Sequence, residues 1–162
     1  HDYLGMTFDF SLKGKVMIDI IDYMESMVDD FSTKFKANDT APTPAAEDLF
    51  AEGEGEDLEK QQAEEYHTFV AKGLFACKRA RPNLHPTIAV LCTQVKKPNE
   101  DDWKKLNRLL KYINGTRKDK LILAADNLHV IKWYVDAAFA VHPDFTSHTG
   151  GSMTYGQGTP MS

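Results

Sequence analysis

Cysteine is almost missing from this chain: Cys77 and Cys92 are its only two in 162 residues, and their spacing makes neither a metal-binding pair nor a disulfide framework. A reducing compartment is the natural expectation, with both thiols read as small buried hydrophobes. No apolar run approaches the roughly 18 residues that a membrane span needs, and the amino terminus lacks the basic and apolar pattern of a signal peptide. The sequence therefore reads as soluble, not secreted and without a membrane partner. Internal repeats are absent too. What is present is ordinary globular composition, 42% hydrophobic and 27% charged, enough for one domain or two small incomplete ones. The opening His1-Asp2-Tyr3, with no initiator methionine, and the close at Pro160-Met161-Ser162 straight after a strand-like segment are the ends expected of an excised fragment.

Charge is unevenly spread. Residues 47 to 65 hold nine acids against Lys60, a local net of −8, within an overall net of −5. Residues 72 to 120 hold 13 Lys or Arg against four acids, a net of +9. An acidic protein thus contains a basic middle section, a footprint suited to phosphate backbones.

Leu4, Met6, Phe8, Phe10 and Leu12 alternate with small or polar residues, which predicts one strand buried on a single face. Lys13-Gly14 is a hairpin turn, Val16 to Ile18 a short return strand, and Asp19 a helix cap. Met17, Ile20, Ile21, Met24, Met27, Val28, Phe31 and Phe35 then share about a third of a helix circumference. Residues 37 to 63, with Pro42, Pro44, Gly53, Gly55 and most of the acids, read as a solvated tether or surface excursion. A second helix over 64–80 stops at Arg81-Pro82, and a third begins near Pro86. The fourth carries the strongest local signals: Asn99 as N-cap, acids at 100–102, and Asn114-Gly115 as a stop. It would bury Trp103, Leu106, Leu109, Leu110 and Ile113 and project Lys104, Lys105, Arg108 and Lys111 from the other side. A solvated face and a phosphate-binding face both fit that pattern. Strands follow at 121–123 and 130–136, with 150–156 as an antiparallel neighbour.

In this order, several of these segments resemble a copia-type retrotransposon pol polyprotein. Tyr3-Leu4-Gly5-Met6 resembles the strand after the polymerase palm, and Lys15 to Phe35 the strand and helix beyond it. Ala41-Pro42-Thr43-Pro44 is similar to the family's small-residue Pro segment. Tyr66 to Ala76 with Arg81-Pro82-Asn83-Leu84 resembles a helix ending in an Arg-Pro-Asp-Ile turn, and Asp102-Trp103 to Thr116 a Trp helix ending in Leu-Lys-Gly-Thr. Tyr134 to Phe139 is similar to the Asp-Ala-Asp-Trp start of RNase H, and Ser147 to Gly151 to its next strand. Asn83, Ala137-Ala138-Phe139 and Gly151 depart from the family pattern.

The resemblance implies an α+β fold in four parts: 1–36 the end of the reverse transcriptase palm, 37–63 an acidic flexible tether, 64–120 a helical thumb or connection, and 121–162 the truncated start of an RNase H-like domain. It implies an RNA:DNA hybrid or DNA duplex and the remainder of the pol polyprotein as partners, in a cytoplasmic particle or the nucleus. Lys104, Lys105, Arg108 and Lys111 would meet the duplex. Asp136 matches the first of four RNase H carboxylates, catalytic and metal-binding through Mg²⁺ in the intact enzyme. The fragment itself is expected to hold no cofactor and not to turn over. Asp29-Asp30 is excluded as the polymerase pair, because it lies in the first amphipathic helix, where Met27 and Val28 face the core and the two Asp point elsewhere. A domesticated, non-enzymatic nucleic-acid-binding module and an inert remnant are the alternatives. His129, His142 and His148 read as surface histidines, Ser147-His148 with Asp144 as too local for a triad, and Asn114-Gly115-Thr116 as a helix stop rather than a glycosylation site.

Overall fold

The computed structural model describes residues 1–51, 53, 55–139 and 147–158. It is an α+β structure in which four helices pack on one antiparallel sheet. The alternating segment at the amino terminus is two strands rather than one. β1 (Asp2–Tyr3) turns at Leu4-Gly5 into β2 (Met6–Asp9), pairing Tyr3 with Met6. Leu4 and Gly5 have φ of 51° and 75°, the left-handed pair that a tight two-residue hairpin requires. Alternation runs through such a turn unbroken, so hydropathy does not reveal it. Only Met6 and Phe8 of the predicted face reach the core, while Leu4, Phe10 and Leu12 are exposed.

The turn at Gly14 (φ 76°) returns the chain as β3 (Lys15–Asp19), antiparallel to β2. The other edge of β3 pairs with β4 (Leu121–Ala125), matching Lys15 with Ala124 and Ile18 with Leu121. β4 thus completes the amino-terminal sheet, which β7 (Gly156–Gln157) extends to the order β1-β2-β3-β4-β7. The first strand of the 121–162 segment therefore shares a sheet with the strands of the 1–36 segment. β5 (Lys132–Ala138) and β6 (His148–Thr154) form a separate hairpin, as the sequence predicts, with Trp133, Tyr134 and Val135 all exposed.

Helix α1 (Ile21–Asp30) is capped at Ile20 with no side-chain acceptor. Asp19, the predicted cap, stands one residue further out: it is buried, its Oδ1 accepts the Ile21 N–H at 3.4 Å, and its Oδ2 pairs with Lys120 at 3.0 Å. Helix α2 (Lys60–Cys77) starts four residues earlier than the apolar pattern predicts. A 3₁₀ turn (Pro82–Leu84) leads into α3 (His85–Thr93), and α4 (Glu100–Gly115) follows. Met24, Met27, Val28 and Phe31 meet Tyr66, Phe69, Ile88, Leu91, Leu106, Leu109, Leu110 and Ile113 in one core, against Phe8, Val16, Ile18, Leu121 and Leu123 of the sheet. Full burial of each such side chain contributes roughly 1.5–3 kcal/mol. Gly73 lets α2 and α3 approach closely, since a Cβ there would stand 2.2 Å from Ile88 Cδ1.

The turn between α2 and α3 holds a buried cation. Arg81 donates from Nη1 and Nη2 to the carbonyl and Oγ1 of Thr116, both at 2.8 Å, joining the end of α2 to the end of α4. No apolar periodicity flags such a residue.

Candidate nucleic-acid interface

The basic face rests on a well-built helix. Asn99 Oδ1 accepts from the backbone N–H groups of Asp101 and Asp102, and Asp102 Oδ2 accepts from that of Asn99, so the first turn of α4 closes a capping box. Burial raises the Asp102 carboxyl, opposed by the Asn99 N–H. The predicted stripe faces inward: Leu106, Leu109, Leu110 and Ile113 are fully buried, and Trp103 packs on Phe31 with ring centroids 5.2 Å apart. That phase sends Lys104, Lys105, Arg108 and Lys111 to the opposite side.

Those cations do not face open solvent alone. The described residues of 37–57 lie along α4 as a strap, the surface excursion of the two readings. Leu49 is buried, Asn114 Nδ2 donates to the carbonyls of Lys36 (2.8 Å) and Asp39 (3.1 Å), and Asn99 Nδ2 donates to that of Gly53 at 3.2 Å. Farther along, Asp57 bridges Asn99 and pairs with Lys97 at 2.9 Å. Glycine is required at 53, where a Cβ would lie 2.7 Å from that of Asp101.

The strap engages part of the cationic row. Lys105 Nζ donates to the Ala51 carbonyl at 2.7 Å, and Arg108 Nη2 to Thr43 Oγ1 at 3.0 Å. Lys104 pairs with Asp101 at 2.6 Å, a bond that raises its pKa. Lys111 has no ion pair or hydrogen bond among the described residues. The acidic and basic blocks, read from the sequence as separate segments, are laid against each other. Two residues outside the predicted set, Lys34 and Asn107, line the same surface; Lys34 lies far from α4 in sequence, so spacing gave no signal for it.

Asp136 stands exposed on β5, where its Oδ1 accepts from the Ala137 N–H at 2.9 Å. It lines an open cleft of about 700 Å³ together with Lys78 and His85, whose Nζ and Nε2 are 3.2 Å apart. Among the described residues no three His, Cys, Asp or Glu side chains gather. A divalent ion binding hard oxygen ligands needs several of them, and one carboxylate beside the Lys78 ammonium does not fit it. Asp29 and Asp30 are exposed at the end of α1, paired with Arg117 (3.1 Å) and Lys72 (2.9 Å), pointing away from the core as the stripe requires. His129 is exposed; His142, Asp144 and the His148 side chain lie outside the described residues. Among the described residues no helix is long and apolar enough to cross a membrane. Comparison with protein-family models, curated proteins and solved structures finds no match for the chain.

Proposed function

We propose that the chain is a nucleic-acid-gripping segment of a copia-type retrotransposon pol polyprotein, spanning the end of reverse transcriptase and the start of RNase H. It holds template-primer duplex through the cationic side of α4, links the two active sites, and performs neither reaction alone. The observation that carries the reading is the division of α4, with its apolar stripe wholly in the core and four cations on the other side. Phosphate contacts of this kind fix position without reading sequence. The second reading, a non-enzymatic nucleic-acid-binding module, is favoured by the pairing of β3 with β4, which ties the first and last parts of the chain into one sheet.

Binding of labelled RNA:DNA hybrid at several salt concentrations tests the shared claim. Each phosphate contact contributes about −0.9 to the slope of log affinity against log salt on a DNA duplex. Changing Lys104, Lys105, Arg108 and Lys111 together to Gln should flatten that slope by about three to four units. Lys104→Gln with Lys111→Gln, the exposed pair, should account for about two of them. Parallel lines for wild type and the fourfold variant would leave α4 with no role on nucleic acid.

A further inference from the structure

The strap crosses the cationic row at the Arg108–Thr43 contact and leaves an opening on either side. One, of about 390 Å³, shares Lys104, Lys105 and Arg108 with Asp48 and Asp101, so its charges are largely offset. The other, of about 570 Å³, lies between α4 and residues 33–42. Lys104, Arg108 and Lys111 reach it from one row of the helix, spaced four and three residues apart, and Lys34 lines it from the chain beyond α1.

The acids of this second opening are already committed. Asp39, its single acidic wall residue, accepts the Lys36 N–H at 2.8 Å, and Asp101 is taken by Lys104. Lys34 spends one of its three donors on the Asp29 carbonyl. Arg108 Nε is buried without a partner, and Lys111 is unpaired among the described residues. With Lys104 balanced by Asp101, the recess carries three further cations, Lys34, Arg108 and Lys111, against the one carboxylate of Asp39, and an unused guanidinium donor. A volume of this order is that of a small-ligand cleft, walled in part by Phe35 and Pro42. A terminal phosphate can enter, and it brings about −1.5 to −2 charges at pH 7 with three strong acceptor oxygens.

We infer that this recess is a phosphomonoester site, taking a terminal phosphate either free or at the end of a nucleic-acid strand. It goes beyond duplex binding: Lys104, Arg108 and Lys111 are shared with the duplex face, and Lys34 is the cation that belongs to the recess and not to that face. The test is fluorescence anisotropy of the full chain with one short 3′-labelled single strand, prepared with a 5′-phosphate and with a 5′-hydroxyl. The phosphorylated strand should bind about tenfold tighter, the effect of one charge-assisted hydrogen bond. Lys34→Gln should abolish that preference, while Lys105→Gln, which lines only the other opening, should keep it. Both side chains are on the surface, so a circular dichroism spectrum like that of wild type shows that the fold is intact. Equal affinity for the two strands, or a preference untouched by Lys34→Gln, overturns the site. Inorganic phosphate that displaces the phosphorylated strand identifies a free phosphate as ligand; failure to displace it identifies the strand end. In the wild type, equal affinity for the two strands together with a salt slope that the fourfold variant flattens would sink this site alone, and a clear 5′-phosphate preference together with parallel salt lines would sink duplex binding alone.

Discussion

A single missing methyl group sets how closely α2 and α3 pack. At Gly73 an alanine would gain about 1 kcal/mol of helix propensity, but its Cβ would meet Ile88 Cδ1 at 2.2 Å in a site where Ile88 is fully buried. Overpacking of this kind costs about 1–3 kcal/mol. Gly73→Ala should therefore be destabilising alone. Ile88→Val removes the clashing atom and costs about 0.5–1.5 kcal/mol by itself. The double variant should be more stable than Gly73→Ala, a coupling that urea midpoints of the four proteins would resolve. If the two costs simply add, the contact is not what requires glycine.

Helix α4 shows what local sequence can and cannot specify. Its cap, its acidic first turn, its stripe and its Asn-Gly stop are all contained in eighteen consecutive residues, so its ends and buried face were legible. The antiparallel pairing of β5 with β6 was legible too, but not its bounds or a buried face, since Trp133 and Val135 are exposed. The strap was not legible, because the contacts that lay it on α4 join residues such as Thr43 and Arg108, which no period connects. The split of the first predicted strand escaped for a different reason: Leu4 is an unusual residue at positive φ. Within α4, Asp102 gives the helix a pH dependence. Burial keeps its carboxyl above the usual carboxylate range, so the folded chain retains this proton longer than the unfolded chain as pH rises. Its contribution to stability is greatest at low pH and is lost as pH rises through the raised folded value. Asp102→Asn keeps an oxygen for the Asn99 N–H and removes the titration. Relative to that variant, wild type should lose stability as pH rises from about 4, the unfolded value, through the raised folded value. Carboxylates such as Asp30, held low by Lys72, titrate alike in both proteins and cancel. A stability difference that is flat across this range would show that Asp102 carries no burial penalty.

At the scale of the molecule, the pairing of β3 with β4 makes the helices and the sheet interdependent, since the same apolar cluster includes Ile18, Leu121 and Leu123. Unfolding should be a single transition. The two tryptophans make this measurable: Trp133 is on the exposed hairpin and Trp103 is against the core. In Trp133→Phe, fluorescence from Trp103 and far-ultraviolet circular dichroism should report the same denaturant midpoint. Separate midpoints would show that parts of the chain unfold as independent units.

The β3–β4 pairing also bears on how the chain reaches this state. It joins positions roughly a hundred residues apart, a high contact order that slows folding. During synthesis β1 to β3 emerge first, and the Lys15–Asp19 strand must wait for its partner with one row of backbone groups unpaired. Such an edge is a template for pairing with another chain. The nascent protein is therefore most vulnerable to aggregation in the interval before residues 121–125 leave the ribosome.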